Sequence, residues 1–209
     1  MTANGPRDGH REALDEAWGR LSSMELRAVA PNAGASLKPG SPSLVLRVMD
    51  GDCLIDLGGR KINYCGRRTG PPGHHLQILI LHYLQGAGNA QLANKHVTYR
   101  DFEGGALYYS AFKARTIDPL VKEFGQKPDL LKHVGDAMHA EALKLGSVGF
   151  KVNFFPKMPV TIILWLGDDE VAASANLLFD ANAGRILPTE DLSVLGGALV
   201  TRIRGLARA

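Results

Sequence analysis

Cysteine is scarce in this chain of 209 residues, which has only Cys53 and Cys65. Two thiols cannot build a disulfide scaffold or a self-contained four-thiolate centre, so no self-contained iron-sulfur cluster is expected, and their scarcity fits a reducing compartment. Long apolar runs are missing as well. The longest strongly apolar stretch, 158–166, is far short of the roughly 20 residues that span a bilayer, so no membrane association is expected. Residues 1–8 have no apolar segment behind their first charges, which speaks against a secretory leader and for a cytoplasmic protein.

An excess of one charge sign is lacking too. Lys and Arg number 24 against 21 Asp and Glu, a formal +3. The charges are nevertheless uneven. Arg60, Lys61, Arg67 and Arg68 precede His74 and His75 with no acid among them, whereas Asp168, Asp169, Glu170, Asp180, Glu190 and Asp191 face only Arg185. The basic stretch is short and has one aromatic neighbour, Tyr64, so it reads as a solvated turn and no nucleic-acid partner is expected. Several catalytic signatures are also absent: there is no GxSxG elbow, P-loop, dinucleotide fingerprint, HExxH, EF-hand or CxxC.

What is present is the patterning of a globular α+β protein, at 45% hydrophobic and 22% charged residues. Ala13, Leu14, Ala17, Trp18 and Leu21 recur at helical spacing, and Ser22 with Glu25 reads as a capping box that opens a second short helix. A loop rich in Pro, Gly and Ser over 31–42 then divides a helical segment, 1–40, from a single α+β domain, 41–209. Runs 43–49, 52–57 and 60–64 form a meander, with two-residue turns expected at Asp50-Gly51 and Gly58-Gly59. The second turn pairs Ile55 with Ile62 and Cys53 with Tyr64, which puts Cys65 on the face opposite Cys53 and precludes a bridge between them.

Further on, 74–84 reads as a buried helix, 96–102 as a short strand, 106–124 as a helix, and Pro128 as the start of another that reaches 145. A second small β group follows in 150–155, 159–166 and 176–179, and 187–191 caps a last helix to about 206. Strands in two batches beside five or six helices favour antiparallel pairing.

Three constellations bear on chemistry. His75 and His82 lie seven apart on one helix, about 10 Å along its axis, too far for one metal ion without other ligands; His82 reads first as a buried imidazole hydrogen-bonded to backbone, and in the functional reading it forms a pocket wall with Tyr83. His133 and His139, six apart, do not share a helical face. Asp168, Asp169, Glu170 and Asp180 stand at the ends of apolar strands, where they read first as turn residues, since hairpin turns favour Asp, and second as acids that converge on a cation or work as an acid and base pair. Last, Arg100 precedes Gly104-Gly105, whose free amides before a helix can hold an anion, although a plain strand-to-helix turn is the first reading of these glycines.

Several words along the chain resemble a prokaryotic family classed as a domain of unknown function and found mostly in anaerobes. They are Ile80-Leu81-His82-Tyr83-Leu84, Tyr99-Arg100-Asp101-Phe102-Glu103-Gly104-Gly105, Phe155-Pro156-Lys157-Met158-Pro159, Trp165-Leu166-Gly167-Asp168-Asp169-Glu170, and Leu178-Phe179-Asp180 with Leu187-Pro188-Thr189-Glu190-Asp191. Some relatives bear a putative iron-sulfur label because of a separate cysteine-rich domain, a part this chain lacks.

The leading expectation is a non-catalytic accessory protein of anaerobic metabolism that binds a cofactor or small molecule. Its pocket would use His82, Tyr83, Arg100, Gly104 and Gly105, with Arg67 and Arg68 at the mouth for an anionic group. A metal-dependent hydrolase using Asp168, Asp169, Glu170 and Asp180 is the alternative. A third is a protein-binding module whose acidic 167–180 segment docks a basic partner.

Overall fold

The computed structural model describes residues 6–66 and 68–209, with side chains from residue 9. Its contacts cluster into two compact units, Met1–Ala90 and Gln91–Ala209. Both combine helices with an antiparallel sheet, so the chain is α+β. Among the described residues, no helix is long and apolar enough to cross a membrane.

The first unit opens with α1 (Pro6–Ser22) and α2 (Leu26–Ala33). Helical spacing in α1 buries Ala17, Trp18 and Leu21 along one stripe. The expected capping box does not form: the Ser22 hydroxyl turns back to donate to the Trp18 carbonyl at 2.8 Å, and α2 starts after Glu25 without a side-chain cap. That back-bond satisfies a carbonyl at the end of α1, so the serine finishes one helix and does not begin the next. The predicted loop over 31–42 is also shorter than expected. Pro31 lies inside α2, which ends on left-handed Gly34 (φ 63°), and β1 (Ser36–Leu37) pairs with the next strand.

The meander follows as β2 (Ser43–Val48), β3 (Gly51–Asp56) and β4 (Lys61–Cys65), in sheet order β1-β2-β3-β4. Its first turn is Met49-Asp50, one residue earlier than expected, with Met49 at φ 53°. This register sets Arg47 opposite Asp52, where guanidinium and carboxylate lie 3.4 Å apart. The β3–β4 register is the expected one, Cys53 against Tyr64 and Ile55 against Ile62. Cys53 is accordingly buried and Cys65 exposed, both as free thiols. Helix α3 (His74–Gly86) packs on α1 and α2, with the Gln85 side chain donating to the Ala17 carbonyl at 2.9 Å.

The second unit is built on one five-stranded sheet. Its strands are β5 (His96–Thr98), β6 (Glu141–Leu143), β7 (Val148–Phe155), β8 (Met158–Trp165) and β9 (Ser174–Asp180), in spatial order β5-β9-β8-β7-β6. Alternation along β7, β8 and β9 puts Phe150, Val152, Val160, Ile162, Leu177 and Phe179 on one buried face. Helices cover that face: α4 (Gly105–Arg115), α5 (Ile117–Phe124), α6 (Pro128–Ala137), the single turn α7 (Ala183–Ile186) and α8 (Thr189–Leu206). Phe112 of α4 stacks on Tyr99 at 4.1 Å and lies 6.2 Å from Phe179, and Gly135 lets α6 approach the Phe150 ring.

Three expectations fail in this unit. The strand from His96 ends at Thr98 and becomes a 3-10 turn over Tyr99–Asp101, because the Asp101 carboxylate accepts from both the Thr98 amide and its hydroxyl. The helix expected over 106–124 breaks at Thr116, whose φ of −125° leaves helical space. The helix from Pro128 stops at Ala137, because His139 turns left-handed (φ 53°) and the Ala140 amide closes back on the Gly135 carbonyl. Residues 141–143 then pair with β7, a tertiary ladder that overrides their helix propensity.

Candidate functional site

Most of the residues singled out in the sequence are committed to structure. In the first unit, Tyr83 is fully buried and donates its hydroxyl to the Ala33 carbonyl at 2.8 Å, pinning α3 to the end of α2. His82, its neighbour on α3, is half-buried. Arg68 lies 3.8 Å over the Tyr64 ring. Its Nη1 is buried without a hydrogen-bond partner, 4.0 Å from the Asp50 carboxylate. Arg67 falls outside the described residues.

In the second unit, the exposed Arg100 stacks on Tyr109 at 3.8 Å. Gly104 is left-handed (φ 70°) and caps α4, while the Gly105 amide is spent on the Phe102 carbonyl at 2.9 Å. A Cβ on Gly105 would meet the Tyr99 carbonyl oxygen at 2.0 Å. Gly105 is therefore set by close packing of the turn, and Gly104 by its left-handed backbone. His82, Tyr83 and Arg68 thus belong to one unit, and Arg100, Gly104 and Gly105 to the other.

The acids are not brought together. Asp168, Asp169 and Glu170 sit in the β8–β9 turn, and Asp180 ends β9, six residues beyond Ser174 and about 20 Å away along the strand. The Asp168 carboxylate closes the turn by accepting from the amides of Val171 and Glu170 at 2.8 and 2.9 Å, bonds that hold it below the usual carboxylate range. Among the described residues, no group of three or more His, Cys, Asp and Glu is placed to hold a metal ion.

Asp180 does something else. It is buried, and it accepts from the amides of Ala93 and Asn182 through Oδ1 and of Asn94 through Oδ2, all at 2.8 to 2.9 Å. It therefore clamps the loop that enters β5. The clamped loop walls a cleft of about 450 Å³ on the sheet face opposite the helices. Three strands supply its centre, because Glu141, Lys151 and Thr161 lie directly across from one another on β6, β7 and β8. The Lys151 ammonium meets the Glu141 carboxylate at 2.6 Å. His96 Nε2 lies 3.2 Å from the Thr161 hydroxyl. Asn94 and Asn153 add amide side chains, and Leu92, Pro156 and Pro159 give apolar walls.

This lining offers donors and acceptors in nearly equal measure. Glu141 and Lys151 neutralise each other, and the Asp180 charge is taken up by three backbone amides, so the cleft suits a polar molecule of little net charge. The imidazole beside a hydroxyl resembles a base beside a nucleophile, but Thr161 is only 1% exposed. Its hydroxyl orients His96 and does not present itself for attack. Of the cleft side chains, only Asp180 was singled out in the sequence as a candidate for chemistry, and Pro156 and Pro159 appeared only within a family word. The available signal was strand alternation, which leaves Lys151 and Asn153 as the polar members of an otherwise apolar run.

Residues 25–202 match the model of a family described as a domain of unknown function (DUF3786), and the chain belongs to that family. No curated protein and no solved structure matches it.

Proposed function

We propose that this DUF3786 chain is a non-catalytic protein that binds a small polar molecule in the cleft of its five-stranded sheet. One observation carries the reading: polar side chains from β5, β6, β7 and β8 converge on a single opening of about 450 Å³, within the range that accommodates small ligands. His96, Lys151 and Asn153 would hydrogen-bond the ligand, Leu92 and the two prolines would flank its apolar part, and Asp180 would hold the loop in place. The resemblance noted in the sequence adds anaerobic metabolism as the setting, and the burial of the Thr161 hydroxyl beside His96 is what favours binding over turnover in this cleft.

The test is a thermal-shift screen with amino acids, nucleosides and sugars, run on the wild type and on Asn153→Arg, whose long side chain would fill the opening. A ligand at a hundredfold excess over its Kd stabilises the native state by about 2.7 kcal/mol. A rise in melting temperature confined to the wild type is expected. A hit that stabilises both proteins equally places binding elsewhere and refutes this site.

A further inference from the structure

A second surface in the same unit is independent of the cleft. At the end of the sheet where β7, β8 and β9 turn, four large apolar side chains face solvent: Val171 is 64% exposed, Leu166 42%, Trp165 41% and Leu145 36%. Their proximity is built by the backbone. The Ser147 amide donates to the Leu164 carbonyl at 2.8 Å and the Leu166 amide to the Ser147 hydroxyl at 3.0 Å, which sets the 144–147 loop against the end of β8. The Asp168 amide donates to the Val171 carbonyl at 2.9 Å, folding Val171 back over the same turn. Consecutive residues at a strand end point to opposite sides, so Trp165 and Leu166 flank the tip and Val171 folds over it, leaving apolar surface for a partner to cover.

The charge within the turn itself is negative. Asp168, Asp169 and Glu170 are exposed in the turn, against the single cation Lys144 in the neighbouring loop. Asp168 is occupied in closing the turn, which leaves Asp169 and Glu170 to face a partner. A negative rim repels anionic lipid and attracts cations.

We propose that this tip docks a basic amphipathic segment of a partner protein, with the apolar side of that segment on Trp165, Leu166 and Val171 and its Lys or Arg residues on Asp169 and Glu170. The two opposed chemistries lie within one turn, so a segment offering apolar and basic residues on adjacent faces satisfies both.

The chain has two tryptophans, and Trp18 is buried, so a surface quencher such as iodide reports on Trp165. Titrating the full chain with an amphipathic lysine/leucine peptide is expected to blue-shift the emission and protect Trp165 from iodide. Binding should weaken with salt and drop by about tenfold or more in Asp169→Lys/Glu170→Lys. A glutamate/leucine peptide of the same pattern should not bind. The proposal is overturned if the lysine peptide leaves Trp165 unprotected or the acidic peptide binds equally well. It is also overturned if protection comes instead from self-association on sedimentation or from anionic phosphatidylserine vesicles.

Discussion

Replacing Asp180 tests the construction of the cleft more sharply than any change to its lining. In Asp180→Asn the side chain keeps its size but exchanges one oxygen for an NH₂. Its best orientation keeps the oxygen towards the amides of Ala93 and Asn182 and turns a donor against the Asn94 amide, where Oδ2 had accepted at 2.8 Å. A hydrogen bond to a charged group is worth about 1.5 to 3 kcal/mol net, and a neutral one about half that. Water can reach the exposed residues 93 and 94, so the low end of about 1.5 kcal/mol applies, and the expected loss is about 3 kcal/mol for Asn, which loses one bond and halves two, and about 4.5 kcal/mol for Ala, which removes all three.

The assay is urea denaturation combined with hydrogen exchange at the Asn94 amide, where about 3 kcal/mol corresponds to roughly 150-fold faster exchange if opening is local. Affinity for a cleft ligand should fall in parallel, because the wall loosens while the strands stay paired. If Asp180→Asn costs less than about 0.5 kcal/mol, the range of an ordinary surface change, and Asn94 exchange is unaltered, the clamp does not hold the wall.

Burial, with a smaller contribution from Cys65, pushes the Cys53 thiol up to about 12, so a disulfide reagent at about pH 8 should titrate one fast thiol, Cys65, in the native protein and two after denaturation; two fast native thiols would contradict the register. The sign for stability follows: the unfolded thiol ionises near 9 and the folded one near 12, so the stabilising contribution is complete below pH 9 and fades towards 12, and the stability difference between wild type and Cys53→Ala should shrink over that window. Gly105→Ala drives a methyl into the Tyr99 carbonyl and should cost about 3 kcal/mol or more or prevent folding, whereas Gly104→Asn, at a left-handed position asparagine tolerates, should be mild; a melting temperature for Gly105→Ala within a degree of wild type would refute the close approach. Backbone amides of Val171 and Glu170 lower the Asp168 carboxyl, so its NMR titration midpoint should fall below the ordinary aspartate range, and the turn's contribution, present above the unfolded value, should disappear as pH drops through the folded one; an ordinary midpoint would show that the turn is open in solution.

Where one local interaction decides, the residues announced the structure. Alternation and the glycine turn after β3 set the Cys53–Tyr64 register, and hence the opposite fates of the two thiols. Helical spacing placed Trp18 and Leu21 in a core. Legibility failed where two local options were nearly equal and a distant contact chose between them. Ser22 had a capping role available and took a back-bond to Trp18, and residues 141–143 had helix propensity and were captured by β7. Family words proved a poor guide to exposed chemistry for the same reason: Tyr83 and Gly105 serve the packing of turns and helices, and Asp180 serves a loop.

Composition and periodicity alone determined that this is an α+β chain with two separate β groups, scarce thiols and no apolar run of membrane-spanning length, because each of those properties is carried by residues near one another along the chain. Tertiary structure decided where a ligand could sit. His96 and Thr161 meet across 65 positions of sequence, and Glu141, Lys151 and Thr161 align only because the strands order themselves β5-β9-β8-β7-β6. That order reflects which apolar faces find cover under the helices, a sum over many long-range contacts that no single segment encodes.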